Sequence, residues 1–316
     1  MEERGLELPV VAVVGATAAG KSELSLRLAA ALDGEVINAD SMQLYRGMDI
    51  GTGKLTAAER GDVPHHLLDI WDVTETASVS EYQRLARAVI ADVQARGRTA
   101  ILVGGSGLYI RAAIDNLEFP GTDPVLRARL EGELTALGAA ALHAKLASAD
   151  PAAAAAILPS NGRRIVRALE VIELSGRPFS ATLPAYDAVL RAVQIGLAIP
   201  RSRLDERIAS RVRRMFSDGL VDEVRRLADP ATQGGGLRAG LTASRALGYA
   251  QVLRHLDGDW PEAEAEEETV RATRRFARRQ ESWFRRDPRV RWLDGTGPVP
   301  TAVALAALAE SSAVGG

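Results

Sequence analysis

Hydrophobic positions along the chain fall into two periods. Val10-Val11-Ala12-Val13-Val14 and Thr99-Ala100-Ile101-Leu102-Val103 are short, unbroken apolar runs, the pattern of strands covered on both faces. Glu35-Val36-Ile37-Asn38-Ala39-Asp40, residues 192–199 and Val290-Arg291-Trp292-Leu293-Asp294 read as three further strands. Between them, residues 22–32, 80–94, 202–228, 241–256 and 261–286 carry helical periodicity, while 41–64 is loop-rich. Strands alternating with helices predict an α/β fold, a P-loop-type parallel sheet flanked by helices.

The pattern changes near Phe119-Pro120-Gly121. Residues 124–175 hold no strand candidate and are rich in alanine, so 119–190 is expected to be an inserted all-helical domain, with the catalytic core in 1–118 and 191–316. Alanine favours helix but buries little area per residue, which predicts looser packing there than around the sheet. Gly234-Gly235-Gly236 reads as a flexible joint, and the final Ala-rich helix as ending in a frayed tail.

Composition narrows the class. Of 316 residues, 47% are hydrophobic and 25% charged, as in an ordinary globular enzyme. No apolar run approaches membrane-spanning length, and Met1-Glu2-Glu3-Arg4 lacks a basic-then-apolar leader. The absence of cysteine excludes disulfides and thiolate zinc sites and predicts a cytoplasmic location. A monomer is the default expectation. Net charge is −2, so any nucleic-acid footprint must lie in the distribution of charge. Three of the 39 basic residues are lysines, and one of them, Lys21, sits in the most informative motif.

That motif is Gly15-Ala16-Thr17-Ala18-Ala19-Gly20-Lys21-Ser22, a complete G-x-x-x-x-G-K-S between a buried strand and a helix. Backbone N–H groups and a helix N-terminus cradle phosphate there, Lys21 adds a full charge, and Ser22 can ligate Mg²⁺. Most ATPases also carry an apolar strand ending in an aspartate that helps hold the metal. The best candidate strand here instead runs into Gly104-Gly105-Ser106, which weakens an ATPase reading without touching phosphate binding. Asp40, at the carboxyl end of the second strand, should face the same crevice. From spacing alone it is either a base for an attacking nucleophile or a structural hydrogen-bond acceptor.

Asn38-Ala39-Asp40-Ser41-Met42-Gln43-Leu44-Tyr45-Arg46-Gly47-Met48-Asp49-Ile50-Gly51-Thr52, following that loop, closely resembles the tRNA dimethylallyltransferase (tRNA isopentenyl transferase) family. The likeness runs nearly end to end. It continues in Pro64-His65-His66-Leu67-Leu68-Asp69, Gly104-Gly105-Ser106-Gly107-Leu108-Tyr109, Arg164-Ile165-Val166-Arg167-Ala168-Leu169-Glu170-Val171, Arg207-Ile208 with Arg211 and Met215, and Ala246-Leu247-Gly248-Tyr249. It closes with Thr273-Arg274-Arg275-Phe276-Ala277-Arg278-Arg279-Gln280 and Trp283. The resemblance implies attack by N6 of the adenosine 3′ of the anticodon in tRNA on C1 of dimethylallyl diphosphate, with release of diphosphate. It implies Asp40 as the base, Thr17 through Ser22 holding the diphosphate with Mg²⁺, Ser106 at the reaction channel and Arg211 steadying the leaving group. It further implies that Asp40, Ser41, Met42 and Gln43 meet the target base and its neighbours, and that Arg127 contacts tRNA. The family commonly shows an Asp-Pro-Gln-Arg-like stretch where this chain has Asn161-Gly162-Arg163-Arg164, and Arg163 keeps a donor there but loses an acceptor.

Arg271, Arg274, Arg275, Arg278 and Arg279 follow i, i+3, i+4, i+7, i+8 and would share one helix face suited to a phosphate backbone. The alternative is a solvated face paired with Glu262, Glu264 and Glu266-Glu267-Glu268. Arg163, Arg164 and Arg167 form a second basic cluster. His65 and His66 lack partners at metal-ligand spacing and read as structural. A P-loop small-molecule kinase, an adenylate isopentenyltransferase and a non-enzymatic RNA-binding protein are the competing readings. The first two have little use for a helical insertion and two arginine clusters. The third would not need Lys21, Ser22 and Asp40 together. If Asp40 is the base, Asp40→Ala lowers kcat by about 10²- to 10⁴-fold with little change in KM, whereas Lys21→Ala raises the KM for the diphosphate donor as well; steady-state kinetics on the two variants separates these outcomes.

Overall fold

The computed structural model describes residues 9–179, 186–229, 231 and 236–313, with side chains to residue 310. The opening Met1–Arg4 segment, Gly234 and Gly235 of the expected joint, and the end of the tail lie outside the described residues.

The elements run β1 (Val10–Val14), α1 (Lys21–Leu32), β2 (Gly34–Asn38), α2 (Ala57–Arg60), β3 (His65–His66), α3 (Val79–Ala95), β4 (Thr99–Gly104) and α4 (Gly107–Ile114). Next come α5 (Pro124–Ala149), α6 (Pro151–Ala156) and α7 (Gly162–Ser175). The chain then resumes the sheet with β5 (Ala192–Ala198), α8 (Arg201–Ser217), α9 (Leu220–Leu227), α10 (Gly236–Ala239), α11 (Tyr249–Leu256), α12 (Glu262–Phe284), β6 (Val290–Asp294) and α13 (Thr301–Ala313).

The six strands form one sheet in the order β3-β2-β4-β1-β5-β6, and every pairing is parallel. The fold is thus the expected P-loop-type α/β sheet. β1 sits between β4 and β5, with Val13 opposite both Val103 and Ile195, which is why all five of its residues are apolar and buried. The two-residue β3 escapes sequence reading because His65-His66 is polar and too short to show alternation. The periodic stretch 202–228 is two helices, α8 and α9, separated at Gly219, whose φ of 100° breaks helical continuity. The stretch 241–256 is likewise broken, into a 3₁₀ turn at Ala243–Arg245 and α11.

Two compact units make up the chain, Met1–Ile114 with Ala188–Gly316, and Asp115–Asp187. The second has its own apolar cluster, including Leu130, Leu142, Leu146, Ile165 and Leu169. Asp123 caps α5 by accepting from the N–H groups of Val125 and Leu126, and Pro124 occupies the first helical position, where no N–H is required.

At the amino end of β2, the buried Glu35 carboxylate accepts from Arg96, Arg98 and His66, consistent with a structural role for that histidine. The Arg96 guanidinium, ahead of the burial that opposes it, brings the Glu35 pKa down to about 2. A carboxyl depressed in the folded state stabilises the fold above its unfolded pKa, and that stability is lost as pH falls through the folded value. Glu35→Gln should therefore cost on the order of 2 kcal/mol at pH 7, less than the full shift because the guanidinium partners are partly solvated. Urea unfolding of both proteins at pH 7, 4 and 3 checks this, and the difference should shrink as pH drops from about 4.5 toward 2.

Candidate active site

The chain leaves β1 through the phosphate loop, where Ala18 (φ 62°) and Gly20 (φ 99°) take left-handed conformations before α1 begins at Lys21. The first N–H groups of a helix have no intrahelical acceptor, so Lys21, Ser22 and Glu23 present theirs at the loop with the positive end of the helix dipole. Lys21 Nζ donates to the Ala16 carbonyl at 2.7 Å. Burial lowers the pKa of this ammonium to about 8, an effect opposed by nearby Asp40 and reinforced by Arg211.

Arg211 arrives from α8. Its Nη2 donates to the Thr52 carbonyl at 3.2 Å. The guanidinium occupies the space a side chain at position 53 would need, since a Cβ on Gly53 would lie 1.8 Å from Nη2. Burial, and then the like charge of Arg214, lower the Arg211 pKa while Asp40 opposes them.

The segment that receives Arg211 is held from below. The buried carboxylate of Glu223 on α9 accepts from the N–H groups of Asp49, Ile50 and Gly51 at 3.1, 2.8 and 3.2 Å and from the Tyr249 hydroxyl. Lys54, whose side chain is 3% exposed, binds Asp49 at 2.6 Å, Asp69 at 2.5 Å and the Tyr45 carbonyl at 3.0 Å. The second of the three lysines is thus a structural tie.

Asp40 follows β2 by two residues. Its N–H donates to Asn38 Oδ1, and its own Oδ1 accepts from the Met42 N–H at 2.9 Å. The carboxylate is therefore oriented by a local turn and also lines the cleft, so the structural bond does not withdraw it from the site. Ser106, just past β4, accepts from the Ser41 N–H at 3.3 Å and donates to Ser41 Oγ at 3.3 Å, which joins the ends of β2 and β4.

Two cavities meet here. One, of about 470 Å³, is lined by Lys21, Ser22, Gln43, Arg207, Arg211 and Arg214 among others. The other, of about 290 Å³, is bordered by Met42, Ile208, Val212, Met215, Leu247 and Phe276, with Arg279 and Ser41 on its wall. Thr17, Ala18, Asp40, Thr52 and Arg211 belong to both. A cationic chamber and a largely apolar one thus share a wall that carries a carboxylate and a guanidinium.

Arg207 and Arg214 were not singled out as ligands from sequence. With Ser210 and Arg211 they follow i, i+3, i+4, i+7 on α8, a legible face that the chain's many arginines obscure. The arginines of the stripe expected on α12 differ in their partners. Arg271 and Arg275 pair with Glu268, and Arg274 turns toward Asp205 of α8. Arg278 is exposed, and Arg279 lies over the Phe276 ring at 5.7 Å. In the second unit, Arg127 and Arg167 both bind the buried Glu170, while Arg163 and Arg164 are exposed.

Among the described residues no cluster of three histidine or acidic side chains could cage a metal. Hydroxyls of Thr17, Ser22, Thr52 and Ser210 and the Gln43 amide line the cationic chamber, but its carboxylates are limited to Asp40 and Glu23. So sparse a set fits Mg²⁺ shared with phosphate and water rather than a resident cage. Nor, among those residues, is any helix long and apolar enough to cross a membrane.

Residues 43–287 match the model of the IPP transferase family. The chain belongs to that family. It is 69% identical over 286 residues to the tRNA dimethylallyltransferase of Streptomyces avermitilis, covering 90% of each chain. With that of Thermobifida fusca it shares 65% over 308 residues, 96% of this chain and 95% of the relative. Its fold is similar to that of the full-length tRNA isopentenylpyrophosphate transferase of Bacillus halodurans, with TM-score 0.70, 41% identity, and 98% and 99% of the two chains covered. A eukaryotic dimethylallyltransferase solved while acting on tRNA gives TM-score 0.80 at 25% identity, over 95% of this chain and 77% of the other.

The depressed Lys21 makes anion binding depend on pH. With its pKa at about 8 in the free protein, Lys21 is charged below that value and neutral above it. Affinity for an unreactive alkyl diphosphate, itself fully ionised by about pH 7.5, should hold to pH 8 and then fall by up to about tenfold per unit. Lys21→Arg should remove the decline, and titration calorimetry from pH 7.5 to 9.5 measures both.

Proposed function

We propose that this chain transfers a dimethylallyl group from dimethylallyl diphosphate to N6 of the adenosine immediately 3′ of the anticodon in tRNA, releasing diphosphate. The observation that carries this reading is the shared wall: Asp40 and Arg211 border a cationic chamber on one side and a largely apolar one on the other.

In this reading the diphosphate lies against the N–H groups at the start of α1, with Lys21, Arg211, Arg207 and Arg214 around it. Ser22, with water and the diphosphate oxygens, would hold Mg²⁺, which neutralises charge on the leaving group. The C1–O bond breaks as the C1–N6 bond forms, the electron pair of C–O leaves with diphosphate, and the N6 proton passes to Asp40. An amine conjugated with a purine ring is a weak nucleophile, so removing its proton as the bond forms offsets the positive charge that would otherwise build on nitrogen. Charge accumulating on diphosphate meets groups already in place, which is electrostatic preorganisation. Ser106 and Ser41, bound to each other beside Asp40, offer hydroxyls to the target adenosine.

The adenosine must leave the anticodon-loop stack to reach Asp40, at a cost of a few kcal/mol that is least in unpaired loops. Arg278 and Arg279 on α12 and Arg163 and Arg164 on α7 provide cations for the RNA backbone, while Arg127, Arg167, Arg274 and Arg275 offer the N–H groups their protein partners leave free. We take the chain to act as a soluble monomer in the cytoplasm. The test supplies Mg²⁺, labelled dimethylallyl diphosphate and either an anticodon stem-loop with adenosine 3′ of the anticodon or AMP. Label should move to the RNA and not to AMP. Label on AMP alone would make the chain an adenylate isopentenyltransferase, and ATP hydrolysis dependent on a small alcohol would make it a kinase.

A further inference from the structure

The sequence motifs leave Gln280 without a role, and the structure gives it a specific one. It projects from α12 and is 5% exposed. Its Oε1 accepts from the Thr17 N–H at 2.9 Å, and its Nε2 donates to the Gly105 carbonyl at 3.0 Å. One amide thus ties the phosphate loop to the turn that follows β4. The fit is tight: a Cβ on Gly105 would lie 2.1 Å from Nε2 and 3.3 Å from the Gly15 carbonyl.

The two segments it joins carry opposite halves of the chemistry. Thr17 opens the loop that faces the diphosphate and borders both cavities. Gly105 precedes Ser106, which is bonded to Ser41 beside Asp40. The bond also takes the Thr17 N–H out of the set available to phosphate, although the loop as a whole was expected to present it. Glutamine suits this place because an amide donates and accepts at once. A carboxylate would keep the Thr17 bond and repel the Gly105 carbonyl, and a thioether would make neither bond.

We propose that Gln280 is a positioning residue that sets the separation between the phosphate loop, and so the electrophilic carbon, and the Ser106–Asp40 side, where the nucleophile is held. This rests on the proposed transfer reaction. A small error in the approach of reacting atoms costs up to about 10²-fold in rate. The loss should therefore appear in kcat rather than in the binding of either substrate.

The test compares the full chain with Gln280→Met and Gln280→Glu, well below their melting temperatures. Single-turnover transfer to the stem-loop should fall by about 10- to 100-fold in both variants. The KM for RNA and the affinity for an unreactive alkyl diphosphate should stay within about threefold. In the wild type, the Thr17 amide should exchange slowly with deuterium by NMR, as a capped donor does. Wild-type transfer rates in either folded variant, a loss confined to the KM for RNA, or fast exchange at Thr17 would each overturn the assignment. The exchange measurement decides the matter if neither variant folds. A wild type that prenylates no RNA would instead overturn the functional reading.

Discussion

Like charge crowded into a sheltered cleft is the constraint on which the rest of this structure turns. Lys21, Arg207, Arg211 and Arg214 face one chamber, and burial, ahead of the like charges beside them, lowers the pKa values of Lys21 and Arg211. Such groups stay put only if the scaffold holds them. The helix N-terminus fixes Lys21, and the Thr52 carbonyl fixes Arg211. That carbonyl lies in a segment whose preceding N–H groups all point at the buried carboxylate of Glu223. The sheet, α8 and α9 hold this cluster of like charges in place.

Much of this was legible in the chain, and the reasons for what was not are physical. The strands β1 and β4 were plain because burial on both faces demands unbroken apolar runs, and the phosphate loop because its chemistry depends on backbone and spacing. Asp40 could be placed at the right edge of the sheet, since strand order need not be known to say where parallel strands end. Its double engagement, oriented by Met42 while facing the cleft, needed coordinates. So did the partition of the α12 arginines: i, i+4 spacing says which side chains share a face and nothing about the neighbour that face meets. Arg274 finds α8, Arg275 finds Glu268, and Arg278 is exposed, though all three fall in one stripe of the helical wheel.

Glu223, Lys54 and Gln280 were hidden for a different reason. Each acts on main-chain atoms or on residues far away in sequence, and such partners leave no local pattern. A buried ionic or amide group that satisfies the loop it supports is invisible to periodicity, yet it decides where the loop lies. Of the three, the family resemblance included only Gln280, as the last letter of the Thr273–Gln280 motif, without saying what it does.

Glu170 in the helical unit has a consequence of the same kind. Its buried carboxylate holds Arg127 and Arg167 together, with Arg167 also donating to the Pro120 and Gly121 carbonyls. Two guanidiniums bound to one acid carry a net charge near +1, so they add little to the long-range pull on a polyanion. What they gain is fixed spacing, with the rotamer entropy that docking would otherwise cost already spent in folding. Such a pair is held at a set separation, whereas the exposed Arg163 and Arg164 keep their rotamer freedom.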